Sequence, residues 1–338
     1  MSTHTGTGNG NGRHGDSAAD IFNSAVAATA IGAAWELGGL EQLHQRGVLD
    51  IEGFATGNDL DPAATTAMFR ALASVGVVVR ESGKVLPGPG FDDAYRSKAL
   101  FYWLCQGSWE LFARMPALLR NENRTGEFHQ RDQQAISRAS REANTEFFDP
   151  LFWRAMAGAG SSFTTVADLG SGSGERLIKV VQEYPGVRGL GLDISAETIE
   201  MSTAEVARRG LAESISFLRA DVRELLPRPE FAEVELLTCF MMGHDLWPKD
   251  DAVRSLRRLR ELFPSVKRFL LGDTVRIVDV PDDGIPVFTL GFETGHALMG
   301  VYLPTAGEWD EVFDQSGWNR VNTHRNDALA GTVVFELV

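Results

Sequence analysis

From residue 165 onward, short apolar runs alternate with amphipathic stretches, and this alternation constrains the fold more than any other feature of the chain. Five runs have the length and composition of buried strands, at 166–169, 189–193, 215–219, 234–240 and 268–273. Helical patterns fill three of the intervals, at 175–183, 196–209 and 250–263. This order predicts a doubly wound α/β fold with a mostly parallel sheet. A last helix and two strands are predicted at 306–317, 319–325 and 331–338.

The 338 residues exceed what one domain of about 150 residues needs, so more than one unit is expected. Residues 1–17 are rich in Gly, Thr and Asn, which predicts a disordered tail. Residues 18–100 contain helix, turn, helix and hairpin patterns in the order of a winged helix, with Asp61 and Pro62 opening the second helix. Residues 101–164 predict a helical, aromatic connector that walls a pocket, and residues 165–338 form the predicted ligand-binding domain.

Charge and composition exclude several classes of protein. The net charge of −14 repels phosphate backbones. Residues 18–100 carry ten Asp and Glu against six Lys and Arg, so the winged-helix region is predicted not to bind DNA but to have a structural or dimerisation role. Its helices are rich in small side chains, which let helices approach closely, and they predict a homodimer. A winged-helix regulator that senses a small ligand is a second hypothesis, but it would need a basic helix. No run of about 18 uncharged apolar residues occurs, and the two cysteines form no secreted framework, so we expect a cytoplasmic protein without membrane contact.

The segment "VADLGSGSGERL" combines a strand, a turn with three glycines and the start of a helix. Such a loop lets backbone N–H groups and a helix N-terminus approach a ligand closely. The dinucleotide fingerprint would need glycine at 175 or 177, where the chain has Glu175 and Leu177. NAD is therefore disfavoured as the ligand.

Acidic residues at the strand ends define the ligand further. Asp193 ends the second strand, where a carboxylate can accept both hydroxyls of a ribose, and Asp221 follows the third strand, where it can meet an adenine amino group. Together with Asp168 and the glycines, these residues resemble the class I S-adenosylmethionine-dependent methyltransferases. The resemblance implies a seven-stranded Rossmann-like sheet and a cofactor site made of Asp168, Gly170, Ser171, Gly172, Asp193, Ile194, Asp221, Val222 and Phe240.

The segment "CFMMGHDLWPKDD" places His244 and Asp245 after the fourth strand. The winged-helix front and this segment resemble the small-molecule O-methyltransferases, in which a histidine here removes a proton from a hydroxyl group. That resemblance implies a general-base role for His244. The chain departs from the O-methyltransferase pattern in two places: Leu246 precedes Trp247, and the usual Glu-Arg-Thr is replaced by residues 303–305, Leu-Pro-Thr.

A second histidine, His296, lies 52 residues after His244, where the chain can return to the same edge of the sheet. Two imidazoles at one pocket suggest a metal, and two histidines with a carboxylate suit non-haem iron. Adjacent residues of a strand point in opposite directions, so Asp245 is expected to bind through water or to orient a ligand.

This combination resembles the iron-dependent C-methyltransferases of α-keto acids over nearly the whole chain after residue 18, including "ADIFNS", "NENRTG", "TCFMMGHD" and "PVFTLGFE". The resemblance implies that His244 and His296 bind iron, with Asp245 acting through a water. Trp103, Arg131 and Met241 would line the substrate pocket. The expected reaction is methyl transfer from S-adenosylmethionine to C3 of a keto acid such as phenylpyruvate, giving a building block for a peptide natural product.

Metal chelation gives a chemical reason for this ligand set. Methylation at carbon requires an enolate, and the C3 proton of a keto acid leaves slowly in neutral water. A metal that chelates the keto oxygen and the carboxylate withdraws electron density, which is worth several kcal/mol. Arg131 could pair with the carboxylate, and Trp103 could press the enolate toward the methyl group. The sequence does not indicate which base removes the proton.

Overall fold

The computed structural model describes residues 17–157, 163–278 and 280–338. The chain divides into two compact units, Met1–Gly107 and Ser108–Val338. The predicted disordered tail lies outside the described residues except for Ser17, and the predicted domain bounds remain predictions.

The first unit is mainly helical. Its helices are α1 Ala18–Glu36, α2 Gly39–Arg46, α3 Ile51–Gly57, α4 Pro62–Ser74, α5 Phe91–Arg96 and α6 Lys98–Tyr102, followed by a π-helical turn, Trp103–Gly107. Its strands are β1 Leu49–Asp50, β2 Val78–Glu81 and β3 Lys84–Pro87, which form an antiparallel sheet in the order β1-β3-β2. Asp61 caps α4 by accepting the N–H of Ala64, and Pro62 occupies the first turn, where a missing N–H costs nothing. The predicted order of helix, turn, helix and hairpin is therefore present.

The second unit holds the remaining elements. Its helices are α7 Trp109–Ala113, α8 Met115–Leu118, α9 Gln133–Ala143, α10 Asp149–Ala157, α11 Glu175–Glu183, α12 Ala196–Arg208, α13 Lys249–Leu262, α14 Thr289–Met299 and α15 Ala306–Ser316. Its strands are β4 Thr165–Leu169, β5 Arg188–Asp193, β6 Ile215–Arg219, β7 Leu236–Phe240, β8 Arg268–Thr274, β9 Arg320–Arg325 and β10 Thr332–Leu337. Short 3-10 or π-helical turns join several of them.

The seven strands form one sheet in the order β6-β5-β4-β7-β8-β10-β9. The first five strands in this order are parallel, and β10 runs antiparallel to both β8 and β9. The predicted parallel sheet and its final strand pair are confirmed. The strand order reverses between β4 and β7, so a crevice opens there at the carboxyl ends of the strands, where open α/β sheets bind their ligands.

Burial on both faces explains the continuous apolar strands. Every residue of β4, β7 and β8 is buried, because helices cover both sides of the sheet. Trp309 and Phe313 of α15 belong to the same hydrophobic cluster as Leu237, Phe269 and Phe335 of the sheet. This packing fixes the strand ends, and therefore the side chains that follow them.

Helix α14 was not predicted, although it carries His296. Its sequence, "TLGFETGHALM", has only a weak amphipathic pattern, because Gly295 and His296 lie on the buried face while Leu290 is exposed. No helix among the described residues is long and apolar enough to span a membrane.

Candidate active site

The glycine loop between β4 and α11 consists largely of left-handed backbone. Gly170, Gly172 and Gly174 have φ angles of 67°, 51° and 72°, which side chains with a Cβ rarely adopt. A Cβ at Gly174 would also lie 2.6 Å from the ring of Phe217. The loop therefore depends on glycine for its conformation and, at Gly174, for space.

Asp193, the last residue of β5, ties this loop to the neighbouring strand. Its Oδ2 accepts the N–H of Gly172 at 3.0 Å, and its Oδ1 accepts the N–H of Ser195 at 2.9 Å. A carboxylate has about four lone-pair sites. Acceptor capacity therefore remains for the hydroxyl groups of a ribose, as the sequence predicts.

Asp221 is already engaged by a neighbouring side chain. The Arg223 guanidinium donates to both carboxylate oxygens, at 3.0 and 2.7 Å, and its backbone N–H donates at 2.9 Å. These bonds lower the pKa of Asp221. An adenine amino group must therefore share the carboxylate with Arg223 or displace it, and because the Arg223 side chain is 55% exposed it has room to move.

Asp168 lies buried in β4 directly before the glycine loop. The hydroxyl of Thr238 donates to its Oδ1 at 2.6 Å. Burial raises the pKa of Asp168 to about 6, against the opposing effects of Arg176 and Thr238. A ligand that carries a positive charge would favour the ionised form.

Two cavities meet at Gly170, with volumes of about 300 and 550 Å³. The smaller cavity is polar and includes Asp168, Gly170, Ser171, Gly172, Asp193, Phe240 and Met241 in its lining. The larger one includes Gly170, Asp193, Ile194, Asp221, Val222, His244, Asp245, Trp247 and Tyr302. All nine predicted cofactor residues therefore lie at one crevice, whose two halves suit the amino-acid and nucleoside ends of an extended ligand.

His244 lies in a 3-10 turn, Gly243–Leu246, close after β7. Its Nδ1 lies 2.8 Å from Oδ1 of Asp273 on β8, and because a carboxylate only accepts, Nδ1 carries the proton. Burial alone would lower the pKa of His244, but the Asp273 carboxylate raises it to about 9.

His296 on α14 meets His244 edge to face, with the ring centroids 5.0 Å apart and an angle of 87° between the planes. Its Nδ1 lies 2.8 Å from the carbonyl oxygen of Phe292, so Nδ1–H donates and the lone pair is on Nε2. Burial and the nearby His244 lower the pKa of His296 to about 3. His296 is therefore neutral at physiological pH.

Asp245 and Arg131 lie close enough to His244 to affect its pKa. The Asp245 Oδ1 is 3.9 Å from Nε2 of His244, too far for a hydrogen bond. Burial lowers the pKa of Arg131, and the charge of Asp245 opposes that shift. The Nε of Arg131 is buried and has no hydrogen-bond partner among the described residues. An anionic group in this place would find an N–H donor.

Met241 and Trp103 are the other two predicted substrate residues. Met241 lines the smaller cavity and not the larger one that His244 lines, and its φ of 55° is unusual for a side chain of this size. Trp103 belongs to the first unit, where it opens the π-helical turn and is buried. The substrate-binding roles of both residues remain predictions.

Three residues of the site were not predicted from the sequence. Asp273 fixes the tautomer of His244. Phe292 packs against His296 and His244, with centroid distances of 4.1 and 5.9 Å, and Arg176 lies 3.5 Å above the ring of Phe240. The strand end in "FLLGD" could have indicated Asp273, since it resembles the ends that led to Asp193 and Asp221.

A metal would depend on few protein ligands here. The described residues contain no group of three or more His, Cys, Asp and Glu side chains arranged to hold a metal ion. Each of the two histidines directs its Nδ1–H to an oxygen, as metal-bound histidines do. Nε2 of His296 carries a lone pair, whereas Nε2 of His244 must first lose the proton that its pKa of about 9 retains. Iron binding by His244 and His296, with Asp245 acting through water, stays a prediction.

The sheet order, the glycine loop and the strand-end carboxylates define a class I S-adenosylmethionine-dependent methyltransferase. Residues 166–263 match the family model described as "Methyltransferase domain". The chain is 47% identical over 327 residues to "Methyltransferase ungE'" of Aspergillus campestris, covering 94% of this chain and 96% of that protein. At this identity, over nearly the full length of both proteins, the chain belongs to the same methyltransferase family.

Two other similarities concern parts of the sequence or the fold alone. The chain is 28% identical over 155 residues to "Indolepyruvate C-methyltransferase" of Streptomyces griseus, covering 45% of each protein. The structure of "Mitomycin 7-O-methyltransferase MmcR" superposes with a TM-score of 0.66 at 22% identity, covering 94% of this chain and 96% of that one. This likeness shows a shared fold.

Proposed function

We propose that this methyltransferase transfers the methyl group of S-adenosylmethionine to C3 of an α-keto acid, with a non-haem iron bound to His244 and His296. The pair of buried imidazoles carries the proposal. Their rings lie 5.0 Å apart, and each has its Nδ1 proton directed to an oxygen. Metal-bound histidines are commonly held in this way, and two of them lie side by side here.

Iron, when bound, would supply Lewis-acid withdrawal of electrons from the keto acid. The protein's own residues then position the reactants. Arg131 presents its unsatisfied Nε–H to the substrate carboxylate, and Asp245 orders water beside His244. Phe292 packs against both imidazoles and helps to hold the pair in place.

The named function of a relative also supports carbon as the methyl acceptor. The Streptomyces griseus protein is an indolepyruvate C-methyltransferase by name, and indolepyruvate is an aromatic α-keto acid. Indolepyruvate and phenylpyruvate are therefore the first substrates to test. Incorporation of the product into a peptide natural product belongs to the same proposal.

O-methylation is the second candidate, and the His244–Asp273 pair favours it. A histidine oriented by a carboxylate is the usual form of a general base, and a structural neighbour is a mitomycin 7-O-methyltransferase by name. Both candidate functions need Nε2 of His244 without its proton. The Asp273 carboxylate raises the pKa of His244 to about 9, so binding of iron or of substrate must displace that proton.

The test measures metal content and the position of the transferred methyl group together. We expect about one iron per chain in the wild-type protein, and a product with a new C–CH₃ signal in the NMR spectrum. His244→Ala and His296→Ala should each lose the iron and at least about 100-fold in kcat/KM, because the remaining ligands are too few to hold the metal.

His324→Gln is the matched control, since His324 lies on β9 and interacts with Glu336 on the same sheet. It should retain both iron and activity. Full activity of chelator-treated enzyme and of His296→Ala, with the methyl group on oxygen, would establish the O-methyltransferase function and reject the proposal.

A further inference from the structure

One arginine holds the C-terminal end of α14, the helix that carries His296. The guanidinium of Arg124 donates to the carbonyl oxygens of Ala297 and Leu298, at 3.0 and 3.2 Å. It also donates to the carbonyl of Leu118 at 2.9 Å. We propose that Arg124 is a positioning residue, which sets the place of His296 relative to His244 without contacting a reactant.

The end of α14 explains why such a clamp is needed. The last carbonyls of a helix have no partner within it and carry partial negative charge. Here the helix ends at Met299, three residues after His296, where Gly300 is left-handed with φ of 76°. The N–H of Val301 donates to the carbonyl oxygen of His296, and the Arg124 guanidinium donates to those of Ala297 and Leu298. The turn that holds the imidazole is therefore fixed from outside the helix.

The same guanidinium also secures the segment that leads to Arg131. Arg124 donates to the carbonyl that ends α8 and lies 5.0 Å above the ring of Phe128. Leu118, Leu298 and Phe128 belong to one small hydrophobic cluster. Arg124 thereby connects the two segments that supply His296 and Arg131. Because the apolar cluster remains when the guanidinium is removed, we expect the fold to survive its loss.

This inference rests on the proposed metal-binding function, so its test includes a measurement that needs no metal. Hydrogen exchange of the metal-free protein should show backbone amides of residues 289–301 exchanging about tenfold faster in Arg124→Gln than in the wild type. Residues 168–176, in the glycine loop, should be unchanged. Arg120→Gln is the control, because Arg120 is exposed on the same segment.

Iron affinity, measured by competition with a chelator, is the second measurement. We expect Arg124→Gln to bind iron about 10- to 100-fold more weakly, as is usual when a group behind a metal ligand is lost. The iron affinity of Arg124→Lys should lie between those of the wild type and Arg124→Gln, since an ammonium group retains the charge but lacks the several N–H donors of a guanidinium. The dissociation constant of S-adenosylmethionine should change less than about twofold in both variants.

The outcomes separate the two proposals. Unchanged exchange in α14 overturns the positioning role, whatever the metal content. Parallel losses of thermal stability, cofactor affinity and iron affinity also overturn it, because they would show a general structural role. Faster exchange in α14 of a protein that never binds iron supports the positioning of His296 and rejects the iron.

Discussion

At the scale of single residues, the protein buries charges where its ligand is expected to bind. Asp168 is 4% exposed and Arg176 is 9% exposed, both at the smaller cavity. Burying an ionised group costs free energy that only strong partners return. Asp168 has one short hydrogen bond, from Thr238, and its raised pKa shows that the compensation is incomplete. The buried Asp168 carboxylate therefore lowers the stability of the free protein at a position where it can bind a ligand.

Asp168→Asn tests how much the buried carboxylate lowers the free energy of unfolding. The folded pKa of about 6 lies above the unfolded value near 3.9, so the folded state retains the proton longer. The free energy of unfolding therefore falls as pH rises from about 4 to 6, and the full penalty of up to about 3 kcal/mol is present above pH 6. We expect Asp168→Asn to be more stable than the wild type at pH 7.5, with no such gain near pH 4.

The same substitution should weaken binding of S-adenosylmethionine at least about tenfold, because the cofactor's ammonium group loses a carboxylate in the smaller cavity. Thermal unfolding at the two pH values and calorimetric titration of the cofactor provide the measurements. Thr238→Val is the control for the hydrogen bond alone. If the difference in free energy of unfolding between the wild type and Asp168→Asn did not change with pH, the raised pKa of Asp168 would be contradicted.

At the scale of elements, the glycine loop shows two separate reasons for glycine. Gly172 and Gly174 both have left-handed φ angles. A Cβ at Gly172 meets nothing within 4 Å, whereas a Cβ at Gly174 would strike Phe217. The first position needs glycine only for backbone conformation, and the second also needs space for the ring beside α11.

We therefore expect Gly174→Ala to destabilise the protein more than Gly172→Ala. The left-handed conformation costs each alanine about 1 kcal/mol, and the clash with Phe217 adds about 1 to 3 kcal/mol. Urea unfolding of the two variants isolates the steric part, because the conformational cost is shared. Phe217→Leu should recover part of the loss in Gly174→Ala only, and equal stabilities of the two variants would argue against this account.

At the scale of the whole molecule, surface charge and exposed apolar residues indicate which kinds of partner the protein can bind. The net charge of −14 opposes nucleic acid. The first half of α1 leaves Ile21 67% and Phe22 72% exposed, and contiguous exposed apolar residues usually belong to an interface. The homodimer predicted from the small-residue helices has its clearest candidate surface here.

Light scattering tests this prediction. We expect a wild-type mass of twice the 36.9 kDa chain, and a monomer for Phe22→Glu, because the charge would be buried without a partner. Val321→Glu is the control, since Val321 is exposed on β9. A monomeric wild-type protein would remove the dimer prediction.

The local features of the chain were predictable from its sequence. The strands around the glycine loop and the helices between them match the predicted bounds within two residues, since buried parallel strands and amphipathic helices have distinct patterns. Helix α14 was missed, because its buried face includes Gly295 and His296 while Leu290 is exposed, so the sequence shows no clear apolar stripe. Its contacts also come from residues far away in the chain, such as Arg124.

The sequence by itself determined the strands and helices around the glycine loop, because these depend on local periodicity. The kind of cofactor followed from the resemblance of this loop and the strand-end carboxylates to class I methyltransferases. Only the tertiary structure decided which side chains contact each reactive group. It paired His244 with Asp273, set His296 and Phe292 beside it, and directed Arg223 onto Asp221. Protonation state and metal affinity depend on burial and on neighbours a few ångströms away, and folding alone brings those neighbours together.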